Sequence, residues 1–167
     1  MFARRAQRLW RDEQGSALIE GAVVVPMLVA LLSGIFEFSW LFYQQHLVAI
    51  GLHDAAGYLA RSPDPCNPGS RVWKTEQQQA KNLATSGLLG GGAARVRGWK
   101  NEMVKIQCKK IDNPIGKNGL SRYRGASVYV VTVSTEFTYP SLGVFELLRL
   151  RAPVISASYS ERAIEPR

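Results

Sequence analysis

One apolar segment, residues 17–36, constrains the fold of this chain more than any other feature of its sequence. Its twenty residues carry one ionisable side chain, Glu20, and the last sixteen, from Gly21 to Phe36, carry none. An α-helix of this length rises roughly 30 Å, which matches the hydrocarbon core of a bilayer. We therefore predict a membrane-spanning helix over residues 17–36.

The residues that flank this segment predict its orientation and whether it is retained as an anchor. Residues 1–15 hold four arginines against Asp12 and Glu13, so the positive-inside rule places the N-terminus in the cytoplasm. The domain that follows is then expected on the outer side. No clean cleavage site for signal peptidase follows the apolar run, so a retained anchor is favoured over a secretory signal.

The helical pattern continues beyond the apolar segment. Gly15 followed by Ser16 predicts a helix that begins at Ser16 as N-cap, and Pro63 and Pro65 predict its end near Arg61. The region 16–61 is thus interpreted as one long helix after a basic leader, residues 1–15. Its outer half carries two apolar stripes, which imply two packing partners, the chain's own domain and another protein. The first stripe is Phe38, Leu41, Phe42, Val48, Ala49, Leu52, Ala55, Ala56 and Leu59, and the second is Trp40, Tyr43, Leu47 and Ile50.

Residues 62–167 are predicted to form one α+β domain. Trp73–Ser86 has helix-favouring composition, and residues 142–150 suggest a helical turn. Strands are predicted at 103–109, 127–139 and 154–161, with a turn at Asn118-Gly119. The predicted sheet is antiparallel, and the outer half of the long helix covers its apolar face. The residues expected on the buried face are Val104, Ile106, Cys108, Tyr129, Val131, Val133, Phe137, Tyr139, Ile155, Ala157 and Tyr159.

The charge and the cysteines leave alternatives open. The chain has a formal charge of +8, and residues 62–167 alone carry sixteen Lys or Arg against eight acids. This excess either attracts anionic surfaces or forms a solvated face of mixed charge, and no nucleic-acid-binding motif is present. Cys66 and Cys108 either form a disulfide, which an outer location permits, or are two unrelated buried thiols.

The sequence holds no catalytic motif, no metal-ligand spacing and no phosphate-binding loop, so we expect neither an enzyme nor a cofactor. His46 and His53 lie about two helical turns apart, too far to share a metal, and are interpreted as surface or packing residues.

Glu20 has two interpretations on physical grounds. A carboxylate in lipid costs a few kcal/mol and is a functional candidate. A carboxylate at headgroup level, near the positive end of a helix, needs no such explanation.

The segment from Gly15 to Phe38 carries a family resemblance. A glycine, four residues and Glu20 before a long apolar helix resemble the processing pattern of type IV prepilins. The segment also resembles the TadE-like minor pilins of tight-adherence (Flp) pilus systems. The matching points are its start, Pro26, and its last residues from Gly34 to Phe38. The resemblance covers residues 14–43 and extends to the rest by architecture alone.

The resemblance implies a pilin-like fold and a structural role. A prepilin peptidase would cut between Gly15 and Ser16, and Glu20 would become the fifth mature residue, pairing with the N-terminal amine of a neighbouring subunit. Gly21 stands where major Flp pilins tend to have an aromatic residue, which favours a minor pilin or pseudopilin. The implied partners are the peptidase, other pilins and inner-membrane assembly proteins, and the implied location is the bacterial inner membrane, with a periplasmic C-terminal domain, or the pilus.

The competing interpretation is an uncleaved single-pass membrane protein with an extracytoplasmic binding domain.

Overall fold

The structure is a computed structural model, and it describes residues 13–113 and 127–163. Most of the leader and the predicted turn at Asn118-Gly119 lie outside these residues. The chain divides into two compact units between Trp40 and Leu41.

A single long helix, α1 (Glu13–Leu59), accounts for the described residues of the first unit and continues into the second. It begins at least three residues before Ser16, so the prediction that Ser16 caps the helix is wrong. One glycine lowers helix stability by only about 1 kcal/mol relative to alanine, and Gly15 does not end the helix here. Pro26 lies within α1 without terminating it.

The second unit adds a helix and a sheet in the predicted order. Its elements are α2 (Arg71–Ser86), a 3-10 turn (Asn101–Met103), β1 (Val104–Asp112), β2 (Ser127–Thr138), α3 (Val144–Leu147) and β3 (Val154–Arg162). The predicted α+β layout, a long N-terminal helix packed on a small antiparallel sheet, is confirmed.

Local signals explain where α2 begins and ends. Ser70 caps its start, since its hydroxyl oxygen accepts a hydrogen bond from the backbone N–H of Trp73 at 3.3 Å. Gly87 closes it with φ at +80°, a left-handed conformation that glycine adopts without strain. The cap lengthens α2 by two residues relative to the prediction.

The sheet has the order β1-β2-β3, with both pairs antiparallel. Val104 faces Thr135 at one end of the first pair, and Asp112 faces Ser127 at the other. In the second pair Val133 faces Tyr159. The central strand β2 therefore has a partner on each side.

The core lies between the sheet, α2 and the part of α1 that follows Leu41. The members of the predicted first stripe that are buried there are Leu41, Val48, Leu52, Ala55, Ala56 and Leu59. β2 contributes Val131, Val133 and Phe137, with Tyr139 just beyond its end, as the alternation predicted. Burial of these side chains is the main stabilising contribution to the second unit.

Two of the predicted inward-facing residues are instead largely exposed. Cys108 lies in the part of β1 where every side chain is exposed. Tyr159 is 36% exposed, and its ring contacts His53 edge-on with centroids 4.7 Å apart. Cys108 lies past the buried end of β1, and His53 of α1 covers Tyr159 only in part, so alternation alone overestimates the burial of both.

Two cross-connections join segments between the helices to strands of the sheet. Trp99 is buried, donates its indole N–H to the hydroxyl of Thr135 at 3.0 Å and stacks on Phe137. The disulfide Cys66–Cys108, with Cα atoms 5.7 Å apart, joins the segment after α1 to β1. Of the two alternatives for the cysteines, the structure thus contains the disulfide.

Candidate membrane anchor and assembly surface

The apolar segment 17–36 forms a helical surface that no other described part of the protein covers. None of the most apolar eighteen-residue stretch of α1 is buried inside the molecule. Leu18, Ile19 and Met27 expose between 70% and 76% of their surface. A soluble protein rarely exposes such a continuous apolar surface, whereas a membrane-spanning helix requires one. Within the described residues, α1 is the one helix long and apolar enough to cross a bilayer.

The hydroxyl groups in and just beyond this segment are satisfied within the helix. Ser33 donates to the carbonyl oxygen of Val29 at 2.8 Å, and Ser39 donates to that of Ile35 at 2.7 Å. Such bonds to the preceding turn remove the cost of placing a hydroxyl in lipid. Pro26 has no N–H to donate, so one backbone carbonyl of the preceding turn lacks its helical hydrogen bond.

The predicted processing site lies inside α1. Gly15 and Ser16 are the third and fourth described residues of the helix. A peptidase needs an extended substrate strand, so cleavage there requires the first turn of the helix to unwind. Helix ends fray readily, so this requirement is modest.

Glu20 is exposed on the first unit. It lies on the second turn after Glu13, at the start of the apolar surface. Both interpretations of its carboxylate therefore remain open, and its pairing with a neighbouring N-terminus remains a prediction.

Glu37 has a different environment, which sequence reasoning missed. It is only 2% exposed, although it follows the apolar segment directly. Helical spacing puts it on the same face of α1 as Leu41, Gln44 and Val48. The signal was present in the sequence as a polar residue in line with the buried stripe.

Gln44 is the second polar residue on that face. It is 4% exposed, and its side-chain oxygen has no hydrogen-bond partner among the described residues. An unsatisfied buried amide oxygen costs about 1–3 kcal/mol, so this position departs from ordinary core packing.

The opposite face of α1 in the second unit is apolar and exposed. Phe42 is 64% exposed, Tyr43 51% and Ile50 38%. The prediction of two stripes with different environments is confirmed for most members, but Phe38, Phe42 and Ala49 were assigned to the buried stripe and are exposed. Leu47 has the opposite error, since it packs partly against the core. The assignment failed because these residues lie at the edges of the buried face, and only packing decides where that face ends.

The two histidines lie on this helix without a shared site. His46 is exposed, and His53 contacts Tyr159 and lies 3.7 Å from the carboxylate of Asp54. Asp54 also accepts a hydrogen bond from Arg95 at 3.0 Å. Residues 13–113 and 127–163 hold no group of three or more His, Cys, Asp or Glu side chains that could bind a metal.

Polar contacts between the end of α1 and α2 surround Tyr58. Its hydroxyl donates to the side-chain oxygen of Gln79 at 2.6 Å, and Ser62 donates to the carboxylate of Glu76. Burial raises the pKa of Tyr58, because it disfavours the phenolate, and the negative charge of Glu76 raises it further.

The comparisons with known proteins bear on α1. A family model described as TadE-like protein matches residues 15–56, which is the apolar segment together with most of the helix that enters the second unit. No curated protein and no solved structure matches the chain. The resemblance inferred from the sequence is therefore confirmed over this helix, and through it the chain is similar to the pilus-associated TadE-like proteins.

Proposed function

We propose that this protein is a minor pilin or pseudopilin, a structural component of a tight-adherence (Flp) pilus system held in the inner membrane by α1. The observation that carries the proposal is the exposed apolar surface of residues 17–36, whose most apolar stretch has no buried residue, within the segment that matches TadE-like proteins. No enzymatic or cofactor role enters the proposal.

In this function the leader is removed and α1 acts as both anchor and assembly element. A prepilin peptidase cuts between Gly15 and Ser16 and leaves an amine at residue 16. Glu20 of a neighbouring subunit pairs with that amine in lipid, where an unpaired carboxylate is costly. The exposed stripe with Phe42 and Ile50 packs on the helices of other pilins or assembly proteins. The C-terminal domain lies in the periplasm.

A bulky substitution at residue 15 tests the processing step. We expect Gly15→Leu to keep the leader, because the peptidase must accommodate the residue before the cut. Mass spectrometry of protein from cells that contain the peptidase gives the result. A control substitution at the exposed Gln45, Gln45→Leu, should mature normally. Normal maturation of the Gly15 variant would contradict processing at this site.

Substitution of Glu20 tests assembly separately. Glu20→Gln keeps the size and loses the charge, so we expect cleavage to proceed and incorporation into filaments to fall. The amount of the protein in sheared filaments, relative to the membrane fraction, measures this. Equal incorporation would show that Glu20 is an ordinary headgroup-level residue.

The second candidate is an uncleaved single-pass membrane protein with an extracytoplasmic binding domain. The observation that favours it is the continuity of α1 through Gly15 and Ser16, which presents no extended strand to a peptidase. In that case the wild-type protein and Gly15→Leu would have the same N-terminus.

A further inference from the structure

A second apolar surface lies on the connection between β2 and β3. α3 is held to the core by Phe145, whose ring meets Tyr139 edge-on with centroids 6.1 Å apart. The next residues point outward, since Leu147 is 82% exposed, Leu148 60% and Leu150 56%. We call these three residues the leucine cluster. Exposed apolar side chains concentrated in one short segment are typical of an interaction surface.

Two arginines alternate with the leucines. Arg149 and Arg151 are exposed, and in the described part of the chain no ion pair neutralises either of them. Arg149 adopts a positive φ of 56° at the end of α3, a position where glycine would be unstrained. Arginine at this position accepts a strained backbone that glycine would avoid. Strain of this kind at a non-glycine residue points to a functional role for the side chain.

Contacts within the second unit show that β2 runs opposite to α1. Beyond the end of α1, residues 63–68 line the same shallow depression as Tyr129, near the start of β2. Further back along α1, His53 contacts Tyr159, which pairs with Val133. Gly51 lies against Trp99, which contacts the later β2 residues 135 and 137. Earlier residues of α1 therefore lie beside later residues of β2.

This direction places the leucine cluster at the end of the second unit where α1 enters it. From Val133 to Tyr139 the extended chain rises roughly 20 Å. Along α1 the same rise takes about thirteen residues. Counted back from His53, which lies beside the partner of Val133, it leads to the level of Leu41. The connection after Tyr139 lies at that level or beyond it. In the sequence, Leu41 follows Phe36, the end of the predicted membrane segment, by five residues.

We propose that the leucine cluster, with Arg149 and Arg151, contacts the surface of the membrane that anchors the protein and binds anionic phospholipid there. Leucines enter the boundary between headgroups and acyl chains, while guanidinium groups remain at the phosphates. This inference rests on the proposed anchoring by α1 and adds a second, peripheral contact that fixes the domain against the bilayer.

Site-directed spin labelling of the full chain tests the contact. Both native cysteines are in the disulfide, so an added cysteine is the only free thiol. Nitroxides at Leu148→Cys, Ile111→Cys and Leu28→Cys are compared in vesicles that contain phosphatidylglycerol. Ile111 is the matched control, because it is 45% exposed, follows two lysines and lies at the opposite end of the sheet. Collisions with oxygen report lipid contact, and collisions with a water-soluble nickel chelate report solvent contact.

We expect the label at residue 148 to collide more with oxygen and less with nickel than the label at residue 111. Neutralising Arg149 and Arg151 to Gln should lower the lipid-contacting population, roughly fivefold for each arginine. If the label at residue 28 is embedded and that at residue 148 is as solvated as that at residue 111, the surface contact is wrong while the anchor stands. A label at residue 148 shielded from both reagents indicates a protein partner and also overturns the proposal. A solvated label at residue 28 contradicts the anchor itself.

Discussion

At the scale of single residues, Thr135 connects the sheet to Trp99. Its hydroxyl accepts the indole N–H of Trp99 and donates to the carbonyl oxygen of Met103, each at 3.0 Å, and it is 3% exposed. We expect Thr135→Val, which keeps the shape, to lower the free energy of unfolding by about 1–3 kcal/mol because it strands the indole donor. Denaturant unfolding in detergent measures this. Thr132→Val, which breaks only an exposed bond to Ser160, should have a much smaller effect, and equal losses would contradict the assigned role.

Tyr58 is expected to make stability depend on alkaline pH. Because its pKa is raised above 10.0, the folded state holds the phenolic proton more tightly than the unfolded state does. Its contribution to stability is therefore fully present below pH 10 and is lost as the pH rises through the raised pKa. The difference in unfolding free energy between wild type and Tyr58→Phe should be constant at neutral pH and should change above about pH 10. A constant difference across the alkaline range would contradict this assignment.

At the scale of elements, Gly51 permits the close approach of α1 to α2. A Cβ at this position would collide with the backbone carbonyl of Ala84 and would lie 2.9 Å from the ring of Trp99. We expect Gly51→Ala to destabilise the protein by about 1–3 kcal/mol through overpacking. Gly57 is the control on the same helix, because a Cβ there meets nothing within 4 Å. Gly57→Ala should stabilise by roughly 0.5–1 kcal/mol, and a stabilising Gly51→Ala would contradict the close packing.

An element could be predicted from the sequence where its local residue pattern agrees with its packing in the fold. The alternation of Val131, Val133 and Phe137 predicted β2 correctly because one face of that strand is buried along most of its length. Thr135 and Gly51 were missed, since their roles come from Trp99 and Ala84, which are distant in sequence. The burial of Glu37 was missed because a carboxylate directly after an apolar segment ordinarily marks the return of the helix to water.

At the scale of the whole molecule, the disulfide constrains the domain that follows α1. Cys66 and Cys108 are 42 residues apart, and closing a loop of this size contributes roughly 4 kcal/mol in the chain-entropy model. We expect the double variant Cys66→Ser, Cys108→Ser to unfold at clearly lower denaturant concentration than wild type. Adding reductant should lower wild-type stability and leave the double variant unchanged. Equal stability of wild type with and without reductant would contradict this contribution.

The central claim is that α1 anchors a processed subunit whose first residue is Ser16. N-terminal sequencing of the wild-type protein, recovered separately from membranes and from sheared filaments, tests it most directly. The account predicts Ser16 as the N-terminus of the filament form. A filament protein that still begins at Met1 or Phe2 would contradict it.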